Sequence, residues 1–229
     1  MDLTALFKKL EINCVLDVGA NTGQYRELLR DHVGYQGLII SFEPVKQTVE
    51  ILREKAQMDA HWLIYHCAIG AENTTKIINV MRENDLSSFL APDASVTDLF
   101  SPYNVIDHTE IVQVRTLDTV LGELRGQHEI GQNLYLKIDT QGFDLEVLKG
   151  AENSLVEILA LQTELSCQHI YKNMPDYMEV LAALQKRGYQ MSGLFPVWLD
   201  TLLRIIECDA VLVNGAAVRD ENLKLVWTR

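Results

Sequence analysis

Four carboxylates in this chain stand at or near the ends of apolar runs: Asp17 after Cys14-Val15-Leu16, Glu43 after Leu38 to Phe42, Asp139 after Leu134 to Ile138, and Glu164 after Ile158 to Thr163. If those runs are parallel strands, the acids gather on one edge of the sheet, outside the carboxyl ends where open α/β sheets bind ligands. One such placement is common, and four in one chain point to a site. Acids so grouped can accept hydrogen bonds from hydroxyls, hold a cationic group, or take a proton during a reaction.

The first acid leads into Gly19-Ala20-Asn21-Thr22-Gly23 and then into Gln24 to Arg30, whose apolar positions Tyr25, Leu28 and Leu29 recur at helical spacing. Strand, glycine turn and helix make the ligand-binding corner of such a sheet. A dinucleotide fingerprint needs glycine where this chain has Asn21, because the backbone must touch a pyrophosphate there. The P-loop pattern G-x-x-x-x-G-K-[ST] is absent. The corner therefore suits a ligand without phosphates, and Asp17 suits a cationic amino group. Glu43 falls 24 residues after Gly19, close to the spacing of about 20 at which an acid takes ribose hydroxyls. A third run, Trp62 to Gly70, ends in small residues; Cys67, Ala68 and Ile69 leave a slot for a flat base.

The elements that must position these residues alternate strand and helix at first, with a lead-in helix over residues 1–12 and a helix from Gln47 to Met58. The alternation breaks between residues 74 and 115. Thr74 to Arg82 and Thr109 to Arg115 read as two strands, with Leu86-Ser87-Ser88-Phe89-Leu90 and Ser101-Pro102-Tyr103 between them. This insertion is expected to lie over the substrate side of the site, since long loops in compact domains are usually functional. Thr116 is expected to cap a helix from Leu117 to Leu124, and Asp176 to Arg187 reads as another helix. Tyr189-Gln190-Met191 and Ala210-Val211-Leu212-Val213 read as the last two strands, with Phe195-Pro196-Val197-Trp198-Leu199 as an apolar loop that pads a core or an interface or, as the third alternative, walls the pocket.

At 229 residues and 48% apolar content the chain reads as a single domain with a sizeable core. Its formal charge of −12 opposes a broad grip on nucleic acid or an anionic membrane. No apolar run approaches the roughly 20 residues of a membrane span. Four scattered cysteines without a C-x-x-C pair read as reduced thiols, and the expected location is cytoplasmic.

Seven segments carry a resemblance: VLDVGANTGQY (15–25), SFEP (41–44), CAIG (67–70), SSFL (87–90), RTLDTVL (115–121), LKIDTQGFDLEVLKGA (136–151) and LQTELS (161–166). Through them the chain resembles the FkbM family of S-adenosylmethionine-dependent methyltransferases. The resemblance implies an α/β, Rossmann-like class I methyltransferase fold: a seven-stranded, mostly parallel sheet in the order 3-2-1-4-5-7-6, strand 7 antiparallel, with helices on both faces. It implies methyl transfer, usually to oxygen on a sugar or a secondary metabolite. The cofactor would meet Asp17 with its ammonium, directly or through water, the backbone of Gly19, Asn21, Thr22 and Gly23 and of the following helix start with its carboxylate, Glu43 and Pro44 with its ribose, and Cys67, Ala68 and Ile69 with its adenine. Ser87, Ser88, Asp139 and Gly142 would contact the acceptor, a small molecule or saccharide. Many members carry Glu where this chain has Gln141, and often Glu where it has Asp144, so Gln141 receives no catalytic assignment.

A sugar hydroxyl is a weak nucleophile and benefits from a base. Asp139 is the first candidate to bind or deprotonate the acceptor, Glu164 the second and His169, five residues further on, the third. Asp139 and Asp144 could together hold a divalent ion, but no H-x-x-x-H or Asp-rich loop accompanies them, and no metal is assigned. Methylation of nitrogen or of a protein stays open, although Asp139-Thr140-Gln141-Gly142 is unlike the N-P-P-[YF] of many N-methyltransferases. A non-catalytic cofactor-binding module stays open too, as does the oligomeric state, a homodimer included.

Overall fold

The computed structural model describes residues 3–82, 84–93 and 105–216. Seven strands form one sheet: β1 (Cys14–Val18), β2 (Leu38–Glu43), β3 (Trp62–His66), β7 (Leu134–Ile138), β8 (Ile158–Ser166), β9 (Tyr189–Leu199) and β10 (Ile205–Asn214). Three more, β4 (Ala68–Ile69), β5 (Thr74–Met81) and β6 (Ile106–Arg115), form a second sheet in the order β4-β6-β5. In the large sheet the order is β3-β2-β1-β7-β8-β10-β9. This numbering differs from the expected listing because the three strands of the second sheet intervene between β3 and β7. Pairing is parallel from β3 to β8, and β10 runs antiparallel to both β8 and β9.

The central strands are buried along their whole length, as strands covered on both faces must be. Alternation along each strand divides the core in two. Cys14, Leu16, Val18, Leu134, Leu136 and Ile138 pack with α4 (Leu117–Arg125), α5 (Asp144–Lys149) and α6 (Tyr177–Lys186). Val15, Ile39, Tyr135 and Ala160 pack with α1 (Leu3–Lys9), α2 (Gln24–Glu27) and α3 (Lys46–Ala56). In α4 the buried positions Leu117, Val120, Leu121 and Leu124 make one helical stripe, and the Thr116 side chain caps it by accepting from Thr119 N at 3.2 Å. Asp176 and Glu179 form a capping box at the start of α6.

Two expectations are corrected. The run from Trp62 to Gly70 is not one strand: it breaks after His66, and Ala68–Ile69 pairs with β6 in the second sheet. The apolar stretch Phe195–Leu199 is not a loop but the end of β9, an edge strand, where Pro196 costs no ladder bond in the interior. Nor is it core, since Val197, Trp198 and Leu199 are exposed. Asp200 closes the hairpin, accepting from Leu202 N and Arg204 N at 2.8 and 2.9 Å. Ser101, Pro102 and Tyr103 lie outside the described residues. Among the described residues no helix is long and apolar enough to cross a membrane.

Candidate active site

The turn after β1 holds Gly19, Asn21 and Gly23 at φ +79°, +44° and +96°. A Cβ on Gly19 would lie 1.8 Å from Asp139 O. Only glycine therefore lets the ends of β1 and β7 meet, which places the turn beside Asp139. Asn21 N and Val45 N donate to the two carboxylate oxygens of Glu43, each at 2.9 Å. Burial pushes the Glu43 carboxyl up to about 7, against the pull of those two N–H groups. Lone pairs remain on both oxygens for two further hydroxyl donors.

Asp17 does not reach this surface. It stands in register with Ser41 on β2 and Lys137 on β7, fully buried. One of its oxygens accepts from Ser41 Oγ at 2.9 Å, and the Lys137 ammonium lies 3.7 Å from the other. Direct contact with a ligand's ammonium is thus corrected: Asp17 acts beneath the turn, as partner to Lys137. Burial raises its carboxyl, with the Lys137 charge opposing.

At the far side of the turn lies a set of acids. Lys137 Nζ donates to Asp139 Oδ2 at 3.0 Å and to Gly19 O at 3.4 Å. Although burial favours its neutral form, Asp139 and Asp17 hold its proton more tightly than usual. Gln141 Nε2 donates to Asp139 Oδ1 at 3.2 Å and to Glu164 Oε2 at 2.8 Å. Burial, then the charges of Asp139, Glu207 and Asp209, push the Glu164 carboxyl well above its ordinary range. Glu207, on β10, accepts from Ser166 Oγ at 3.0 Å, and its carboxyl is raised to about 7, chiefly by burial. Among the described residues no group of three or more His, Cys, Asp or Glu side chains is arranged to hold a metal ion.

A cavity of about 680 Å³ joins the two ends, within the range of small-molecule sites. Of the expected residues, Gly19, Asn21, Glu43, Pro44, Ala68 and Ile69 line it at one end, and Ser87, Ser88, Asp139 and Glu164 at the other. Thr22, Gly23, Cys67 and Gly142 do not line it. Gly142, at φ +89°, instead packs where a Cβ would meet Leu90 and Met174. His169 is exposed on the loop after β8 and is not brought to the cavity. Asp144 is buried and accepts from Thr163 Oγ1 at 3.1 Å.

The cavity also contains Lys137, Glu207 and Asp85, which receive no role from the sequence, Gln141, which receives no catalytic one, and Trp198 and Leu199 from the stretch for which a pocket wall is the third alternative. Lys137 had a visible signal, a lone charge inside the apolar strand Leu134–Ile138. Glu207 had the same signal in Ile205-Ile206-Glu207-Cys208. Asp85 had none: it enters from the short 3-10 turn Asn84–Leu86 and accepts hydrogen bonds from the side chains of Asn21 and Gln24.

A family profile described as the methyltransferase FkbM domain matches residues 17–191. Among solved structures, methyltransferase FkbM from Methylobacillus flagellatus KT is 17% identical, with a TM-score of 0.52 over 88% of this chain and 44% of that one. The likeness shows a shared fold, and this chain spans less than half of that protein's length. Aeropyrum pernix fibrillarin, solved with natively bound S-adenosyl-L-methionine, is 11% identical, with a TM-score of 0.49 over 92% of this chain and 73% of that one. Magnesium protoporphyrin IX methyltransferase from Synechocystis PCC 6803, solved with bound SAM, is 10% identical, with a TM-score of 0.45 over 93% and 74%. No curated protein sequence matches significantly.

Proposed function

The chain belongs to the FkbM methyltransferase family, whose cofactor is S-adenosylmethionine, and from that premise we propose that it methylates a hydroxyl on a sugar or other secondary metabolite. The observation that carries this reading is one cavity with a nucleoside-type corner at Glu43 and a carboxylate cluster at Asp139 and Glu164. In this reading residues 1–229 serve as a single methyltransferase domain, with the 74–115 segment on the substrate side.

The residues present fit the cofactor. Ligand-facing charge in the cavity is mostly carboxylate, which repels a phosphate and suits a cation that carries hydroxyls. Glu43 has spare lone pairs for a ribose diol, whereas the N–H groups of Gly19, Ala20, Asn21 and Gly23 are already donated to Phe42 O, Glu43 and Ala20 O, so these four are not open to a ligand carboxylate. Ala68 and Ile69, with Phe42 and Ile78 beside them in the lining, offer apolar walls for an adenine. Bound there, S-adenosylmethionine supplies an electrophilic methyl group on a sulfonium.

The chain's own part is to bind, align and deprotonate. Asp139 is one-third exposed, and its two oxygens are fixed by Lys137 and Gln141; it accepts a hydrogen bond from the acceptor and so orients it. Glu164, whose carboxyl is raised by burial and by neighbouring acids, takes the hydroxyl proton as the oxygen becomes nucleophilic. Lys137 keeps Asp139 in place and balances the buried charge of Asp17. Ser88 builds the wall rather than touching the acceptor, since its Oγ donates to Gln141 O at 2.7 Å.

Calorimetric titration with S-adenosylhomocysteine, with NAD in parallel, tests the reading. The homocysteine compound is expected to bind, and Glu43→Ala to weaken it by about 100-fold, because an ionised acceptor is worth about 1.5–3 kcal/mol per hydrogen bond. Binding of NAD instead, or S-adenosylhomocysteine binding indifferent to Glu43→Ala, would overturn it.

A further inference from the structure

Gln141 lies between the two carboxylates to which the reading above gives chemical roles. Its Nε2 donates to Asp139 Oδ1 and Glu164 Oε2, while its Oε1 accepts from the Tyr171 hydroxyl at 3.0 Å. An amide nitrogen has two hydrogens, and the two carboxylates use both. Turned end for end, the amide would aim its oxygen at two carboxylates, so the network fixes its orientation. The backbone is committed to this arrangement. Gln141 sits at φ +50°, a region that residues with side chains rarely adopt, and Ser88 Oγ fastens its carbonyl. Tyr171 is fully buried, and its one hydroxyl hydrogen is shared between Gln141 Oε1 at 3.0 Å and the nearer Leu86 O at 2.7 Å, a bifurcated contact between the amide and the 74–115 segment.

We propose that Gln141 is a positioning residue: by donating to Asp139 and Glu164 at once, it sets their spacing, so that one orients the acceptor hydroxyl while the other takes its proton. The proposal rests on the methyl-transfer reading for its purpose, but the pairing can be tested without it. Glu164 faces Asp139 on the β7 end, Glu207 and Asp209 on β10, and Tyr171 on the loop after β8, with the Lys137 ammonium opposing the acids. Like charges so placed separate or hold a proton unless a donor is shared between them. A neutral amide supplies that donor at every pH. A third carboxylate could supply it only by holding a proton itself.

The test is a carbon-13 NMR titration of the full chain with labelled glutamate carboxyls, Glu164 being assigned by the signal lost in Glu164→Gln. Gln141→Leu removes the shared donor and is expected to raise the Glu164 midpoint by about one pH unit or more. Gln141→Glu, close to isosteric, is expected to raise it too and serves if the leucine variant fails to fold. A folded variant of either kind with an unmoved Glu164 midpoint overturns the proposal. Calorimetry with S-adenosylhomocysteine on the unaltered chain separates the two ideas. Failure to bind counts against methyl transfer and leaves the titration standing, whereas an unmoved midpoint in a protein that does bind counts against Gln141 alone.

Discussion

Glu43 takes both of its hydrogen bonds from backbone N–H groups, whereas Asp139 and Glu164 take theirs from the side chains of Lys137 and Gln141. The first end of the cavity is therefore part of the turn geometry, and the second is a set of like charges held together by two neighbours. A change at the first end acts on the fold and the cofactor together. At the second, a change can leave the fold intact, or even stabilise it, while removing the chemistry.

The largest effect should come from Gly19→Ala. Its Cβ would fall 1.8 Å from Asp139 O, on a residue at φ +79°, so the end of β1 must part from the end of β7. A loss of about 3 kcal/mol or more is expected in urea unfolding, through strain and lost packing together. Native stability in that variant would break the comparison, because the turn would not be the rigid end.

Glu164→Gln should act in the opposite direction. The glutamine keeps an oxygen for the Gln141 amide and removes a charge that burial and three neighbouring acids oppose. A gain of about 1 kcal/mol is expected in urea unfolding near about pH 8. The sign follows from the raised carboxyl. As pH falls, the unaltered chain protonates Glu164 and loses the same repulsion, so the gap narrows on acidification. A loss of stability at high pH would mean that Asp139, Gln141 and Glu164 are a net stabilising network rather than one kept for chemistry.

The two ends also differ in how legible they are in sequence. The corner is local: an apolar run, two glycines four apart and an acid about one strand later are enough to place Gly19, Asn21 and Glu43. The acid end depends on which strands lie side by side. Asp139 and Glu164 could be named from their strand ends, and period-two alternation puts Asp139 on the side of Tyr135 and Lys137, and Glu164 on that of Ala160 and Gln162. What alternation cannot say is that Gln141 reaches both, because that requires the positive φ of a turn. Asp17 shows the converse error. It follows the right pattern, but register with Ser41 and Lys137 buries it beneath the turn. Trp198 and Leu199 read as loop rather than strand because an edge strand tolerates proline and unpaired apolar side chains that resemble one.

Proton release on binding sharpens the comparison with the smallest effect. Burial raises the Glu43 carboxyl from 4.5 to about 7, and that of Glu207 likewise to about 7. Between those values the folded chain holds protons that the unfolded chain has released, so these groups make stability fall as pH rises from about 4.5 to about 7. Ligand binding has the reverse dependence, since Glu43 must be ionised to accept from two ribose hydroxyls. Affinity for S-adenosylhomocysteine should therefore drop about threefold from about pH 7.5 to about 6.5, with a proton released to the buffer. Calorimetry in buffers of different ionisation heat reads that proton directly. If it comes from the corner, Glu43→Gln abolishes the release and Glu207→Gln leaves it. If Glu43→Gln leaves it unchanged, the proton comes from the acid end, and the corner binds its ligand without changing charge.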